Sequence, residues 1–250
     1  MSGENEDEVH WFRLLHNTGS TQDNYIMFAP PPSDAKFQTP VWVTNTLSHQ
    51  DSWEVHTTAP MFAWAGRQYT TGESADKKTR IAIEKSHEVY LAKKDENDQL
   101  IPGSSTLHVS FGDELPDIKD GGKTSTKLGA FTVDIKKLPQ DDGSTYVFGF
   151  GKRNGPGGEI FPCASIVANK TGEATVTPII KLYFYKNHQV SEDKPALKTG
   201  DLIDFDNVVD EAGLIDFSDQ GAATLCTVIN KTDEEGNPVW HTAYTNDPPN

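Results

Sequence analysis

Cysteine is scarce in this chain, with only Cys163 and Cys226 among 250 residues. Two are too few for a disulfide scaffold at this length. Each sits in an apolar stretch, 161–167 and 225–229, where a reduced thiol behaves as a small hydrophobe, so both are expected to be buried and free. Long apolar runs are missing too: nowhere do about 18 apolar residues follow one another, as a membrane-spanning helix requires. Residues 1–8 are polar and acidic, unlike a signal peptide. A cytoplasmic location is expected, although a secreted form freed of its leader would read the same way. Basic charge is short as well. Lys plus Arg number 22 against 37 Asp plus Glu, a formal net charge of −15. That balance repels phosphate backbones and anionic lipid, so neither nucleic acid nor membrane is an expected partner.

Helical periodicity is the last absence, and what replaces it is an alternation of period two. Leu107, Val109 and Phe111 fall two apart, as do Phe131, Val133 and Ile135, then Tyr146, Phe148 and Phe150. Such rows mark strands with one buried face. Turn residues punctuate them, as in Pro30-Pro31-Pro32, 154–158 and 235–238. The fold class is all-β, an antiparallel β-sandwich built as one large unit or as two packed sandwich-like halves. Odd-parity Ile81, Ile83, Val89 and Leu91 make 76–95 a strand pair rather than a helix, and 174–186 reads as one strand.

The polar, Gly-rich stretch 112–126 is the natural internal boundary. It separates residues 1–113, a β half rich in Trp and His, from residues 114–250, an acidic β half. Two echoes run through the second half. Residues 166–173 resemble 227–234, each an apolar strand running into Asn-Lys-Thr and an acidic turn, which reads as a hairpin. Leu202-Ile203-Asp204-Phe205 likewise resembles Leu214-Ile215-Asp216-Phe217, inside a stretch, 201–220, that holds seven carboxylates and no basic residue. The interleaved apolar residues there imply two short strands with solvated acidic faces. The spacing does not match a calcium-binding EF-hand loop.

No motif names a chemistry. The eight histidines, His10, His16, His49, His56, His87, His108, His188 and His241, include no pair at a zinc or copper ligand spacing, so no metal and no cofactor is expected. The glycines around Lys152 and Arg153 open no helix, and Gly121-Gly122-Lys123-Thr124 has Asp117 where a phosphate loop begins with Gly. There is no Gly-x-Ser-x-Gly elbow, and catalytic residues stay unknown.

The remaining signal is aromatic. Trp42, Trp53 and Trp64 recur every 11 residues, about the length of a strand plus turn, with His49, His56, Arg67 and Tyr69 between or just after them. Stacking faces beside polar tips are how sheets bind sugars or flat apolar ligands. The expectation is a monomeric or weakly oligomeric binding protein for a small molecule, carbohydrate first, as in a lectin. Two rivals are a cofactor-independent isomerase, cyclase or hydrolase acting on an apolar natural product, with His56 or His49 as acid or base, and a structural or host-interaction protein.

Overall fold

The alternating rows become strands in the computed structural model, which describes residues 9–33, 36–58, 60–72, 77–112, 115–125, 127–138, 142–179, 181–187 and 196–246. Residues 1–8, the expected boundary at 113/114 and His188 lie outside these. In chain order the strands are β1 (Val9–Asn17), β2 (Gln22–Phe28), β3 (Thr39–Pro40), β4 (Val43–Ser48), β5 (Ser52–Thr58), β6 (Met61–Thr71) and β7 (Lys78–Val89). Next come β8 (Lys93–Lys94), β9 (Leu100–Ile101), β10 (Ser105–Ser110), β11 (Asp117–Thr124), β12 (Phe131–Lys137), β13 (Thr145–Arg153) and β14 (Ile160–Val167). The series ends with β15 (Gly172–Val176), β16 (Leu182–Asn187), β17 (Leu202–Ile203), β18 (Gly213–Ile215), β19 (Leu225–Thr232) and β20 (Pro238–Thr245). A one-turn helix, α1 (Phe205–Val208), and a 3-10 turn (Val209–Glu211) lie between β17 and β18. With 61% strand and 3% helix, the protein is all-β and sandwich-like. No helix of the described residues is long and apolar enough to cross a membrane.

Among the described residues, four four-stranded sheets carry the fold, in the orders β20-β19-β1-β5, β11-β10-β12-β15, β14-β13-β6-β7 and β18-β16-β2-β4. Pairing is mostly antiparallel, with β1 and β19 parallel and β10 and β12 parallel. Strands from both sides of residues 113/114 share sheets: β1 pairs with β19, β2 with β16 and β6 with β13. One main core touches all four sheets, through Phe12 and Leu14, Tyr25 and Met27, Phe131 and Val133, and Phe148 and Phe150. The two sequence halves therefore interleave around one interior rather than each building its own.

The sheet β14-β13-β6-β7 is covered on both faces. Ala63 and Ala65 of β6 point into the main core, while Trp64 points the other way, into a second cluster with Ile81 and Val147. Gly149 makes room there, because a Cβ on it would lie 1.9 Å from the Ala164 carbonyl oxygen and 3.0 Å from the Trp64 ring. The edges of this sheet are linked through β3 and β17. Gln38 bridges to Ser165 of β14, Asp201 bridges to Arg80 of β7, and β3 pairs with β17. Asp201 fastens that seam. Fully buried, it accepts from Arg80 Nε at 2.5 Å and from the Lys198 backbone N–H at 2.8 Å.

Several expectations are corrected. Residues 78–89 form one strand, because no turn residue interrupts them; a bulge opposite Ala65 and Gly66 reverses the alternation, so Ile81 and Val89 face opposite sides of the sheet. Residues 174–186 form two, since Pro178 lacks the N–H a ladder needs. The Gly-rich boundary contains β11, paired with β10. Gly121 fits there because a Cβ would fall 2.5 Å from His108 Nε2. Of the two echoes ending in Asn-Lys-Thr, only 227–234 leads into a hairpin, β19–β20, whose turn is held by Asp233 accepting from the Glu235 and Asn237 N–H groups. The first copy joins two different sheets, because β14 pairs with β13 and β15 with β12. The acidic stretch does contain short strands, β17 and β18, but a helical turn separates them and Asp201 is a buried ion-pair partner, not a solvated face.

Candidate functional site

The inward rows of three strands converge on an unfilled space. On β1 the core face carries His10, Phe12, Leu14 and His16; on β13 it carries Tyr146, Phe148, Phe150 and then Lys152. Thr57 of β5 sits opposite His10 in the ladder. Where these rows meet β14, β16 and β18 they leave a cavity of about 90 Å³. One water needs roughly 10–15 Å³ of such space, so this is room for a small organic group.

The floor of the cavity is apolar and buried: Phe12, Trp42, Phe150 and Cys163. Phe12 meets Trp42 edge to face at 6.4 Å, and the indole N–H of Trp42 donates to the Lys152 carbonyl oxygen at 3.3 Å. The Thr57 hydroxyl is likewise spent, donating to the Arg153 carbonyl oxygen at 2.9 Å. Burial pushes the Cys163 thiol up to about 12, with the nearby Lys152 charge pulling weakly the other way, so the sulfur stays neutral. Neutral, buried thiols are poor nucleophiles. Half-buried His10, Lys152, Lys181 and Phe217 make the rim. Lys181 is tied to Asp216 at 2.7 Å.

The residues nominated from the sequence scatter. Trp42 lines the cavity. Trp53, half-buried on β5, sets its edge against Phe184 at 5.7 Å. Trp64 lies in the second cluster on the far side of β6, 1% exposed, with its indole nitrogen lacking a hydrogen-bond partner. His49 is exposed in the turn after β4. His56 faces outward from β5, stacked on Trp11 at 4.4 Å. Arg67 is paired with Glu84 at 2.7 Å and lies over the Tyr146 ring. Tyr69, 44% exposed, borders a shallow open groove with Arg80 and Glu84. The even 11-residue spacing does not place the tryptophans together, because β5 and β6 belong to different sheets and Trp42 precedes β4.

Sequence reasoning passed over His10, Lys152 and Lys181. For two of them a signal existed: each continues the parity of a core-facing row at a strand end, where a polar residue reads as the lip of an interior. The same reasoning passed over a second polar group. At the other end of the β1 row, His16 Nδ1 donates to Tyr25 Oη at 2.8 Å, and Tyr25 Oη donates to Asn230 Oδ1 at 2.8 Å. Asp23 lies 3.5 Å from His16 Nδ1, is paired with Lys186 at 2.7 Å and accepts from Thr18 and Ser20. The free cysteines stand as expected: both are buried, and burial raises Cys226 too, to about 12.

The fold and cavity together define a class: an all-β, sandwich-like protein whose interior retains a small apolar chamber. No family model, curated protein or solved structure matches the chain.

Proposed function

We propose that this protein binds a small apolar molecule in the cavity between the sheets of β1, β13 and β16. The observation that carries the reading is the floor of Phe12, Trp42, Phe150 and Cys163, which surrounds empty space with no free hydrogen-bonding group. Cavities of this kind stay dry and accept apolar guests of matching size. The ligand-binding expectation is kept, but a sugar is the less apt occupant. Trp42 and Trp64 are each 1% exposed, and a lectin-like platform needs open indole faces. Catalysis is not favoured either, because neither His56 nor His49, one of which was expected as acid or base, lines the chamber.

Titrating octanol while following tryptophan emission tests the reading, since Trp42 is part of the wall. A saturable change is expected in the parent protein. It should be absent in Ala29→Leu, or in the milder Ala29→Val if the larger residue impairs folding, because Ala29 lines the cavity and added methyl groups fill it. No saturable change in the parent would sink the proposal.

A further inference from the structure

We infer that the protein has a second binding site, for a neutral oligosaccharide, in the open groove between the edges of β18 and β20. Among the described residues its lining shares none with the chamber, so the inference stands apart from the role proposed above.

The groove starts from an alternation on β20. Trp240, Thr242 and Tyr244 fall two apart and so lie on one face of the strand, opposite Asn230, Val228 and Cys226 in the ladder with β19. Thr242 is exposed while the rings on either side of it are half-buried, so the sheet face is uncovered between them. Gly213 of β18 packs against the first ring, where a Cβ would fall 2.7 Å from Trp240. The polar tips of both rings are committed to the protein. The Trp240 indole N–H donates to the Glu211 carbonyl oxygen at 2.8 Å, and Tyr244 Oη accepts from the Asp216 N–H at 2.8 Å. These bonds fix the rings, and what the rings then offer a ligand is preorganised carbon surface. Leu214, 40% exposed, extends that surface.

Asp219, Gln220 and Thr242 line the same groove of about 440 Å³, and their side chains enter no hydrogen bond among the described residues. A carboxylate accepts, while an amide and a hydroxyl both donate and accept. A sugar ring has the matching anatomy, an apolar C–H face and a rim of hydroxyls. Other ligand classes fit less well. Asp216 and Asp219 line the groove and no Lys, Arg or His does, which repels an anion. A cation gains little there, because the Lys181 ammonium is bound to Asp216 at 2.7 Å and also interacts with the Asp219 charge. A wholly apolar guest would strip water from the three polar side chains and return no hydrogen bond.

Titrating the full chain with maltotriose, cellotriose and mannotriose, followed by calorimetry and saturation-transfer NMR, tests the site. At least one should bind saturably at millimolar concentration, with the strongest transfer to ring C–H protons. Thr242→Tyr fills the gap between the two rings and should abolish that binding. Asp219→Ala, at an exposed position, should weaken it about tenfold, as loss of a hydrogen bond to a charged group does. Both variants should keep the parent's circular dichroism spectrum and its octanol binding, since neither residue lines the chamber. Failure of all three sugars to bind the parent would overturn the inference, as would unchanged sugar affinity in either folded variant. Tighter binding of tetramethylammonium than of any sugar would overturn the neutral ligand class.

Discussion

The two ends of the core-facing row on β1 have opposite characters. At the His16 end, polar groups from Asn230 through Tyr25 and His16 to Asp23 and Lys186 are linked by hydrogen bonds and ion pairs. At the His10 end, Phe12, Trp42, Phe150 and Phe217 line a chamber. Both ends lie on the same strand face, six residues apart, so the difference does not come from β1 itself. It comes from what is brought opposite. Hydrogen-bonding and charged groups from β2, β16 and β19 close one end, whereas apolar rings from β13 and the segment before β4 frame the other. A satisfied polar network confers rigidity on the closed end.

The sharpest way to break that comparison is to truncate the large rings. Trp42→Ala and Trp64→Ala should each cost about 3–5 kcal/mol in chemical denaturation, the usual range for a buried aromatic. Only the Trp42 change should alter octanol binding, because Trp64 belongs to the cluster beyond β6. Equal effects of the two on binding would show that the chamber is not a distinct site.

The next largest effect is expected at the closed end. Burial alone pushes the Asp23 carboxyl up, but the Lys186 ammonium and the hydroxyls of Ser20 and Thr18 outweigh it and hold the group below its ordinary value. A carboxyl that is the stronger acid when folded stabilises the fold above the ordinary Asp range. That contribution is lost as pH falls through the lower folded value. Lys186→Met should therefore cost about 3 kcal/mol at neutral pH, as breaking a largely buried pair does, and should shift acid unfolding to higher pH. An unchanged acid midpoint in a pH titration followed by circular dichroism would contradict this.

A smaller change sharpens the contrast further. Tyr25→Phe deletes the hydroxyl that links His16 to Asn230 and leaves both buried groups short of a partner, at a cost of about 1–3 kcal/mol. Octanol affinity should stay within error of the parent. A loss of binding in this variant would mean that the two ends are coupled.

Much of this was readable from residue order, and the reason is local. Alternation requires only that neighbouring side chains point to opposite faces, so the rows at 107–111, 131–135 and 146–150 declare strands and their buried sides without knowledge of any partner. The same rule places Lys152 and His10 on core faces. The even tryptophan spacing misled for the complementary reason: a repeat distance says nothing about which sheet a strand joins.

What the sequence by itself determined, then, is an all-β chain with defined inward and outward faces and two buried thiols. What only the tertiary structure decided is which faces meet. The parallel pairing of β1 with β19 joins residues some two hundred positions apart, and period-two patterning carries no label for such a partner. The cavity belongs to the same category. It is the volume left over where rows from β1, β13, β14, β16 and β18 fail to interdigitate, so it depends on the relative positions of side chains far apart in sequence and is a property of no single segment.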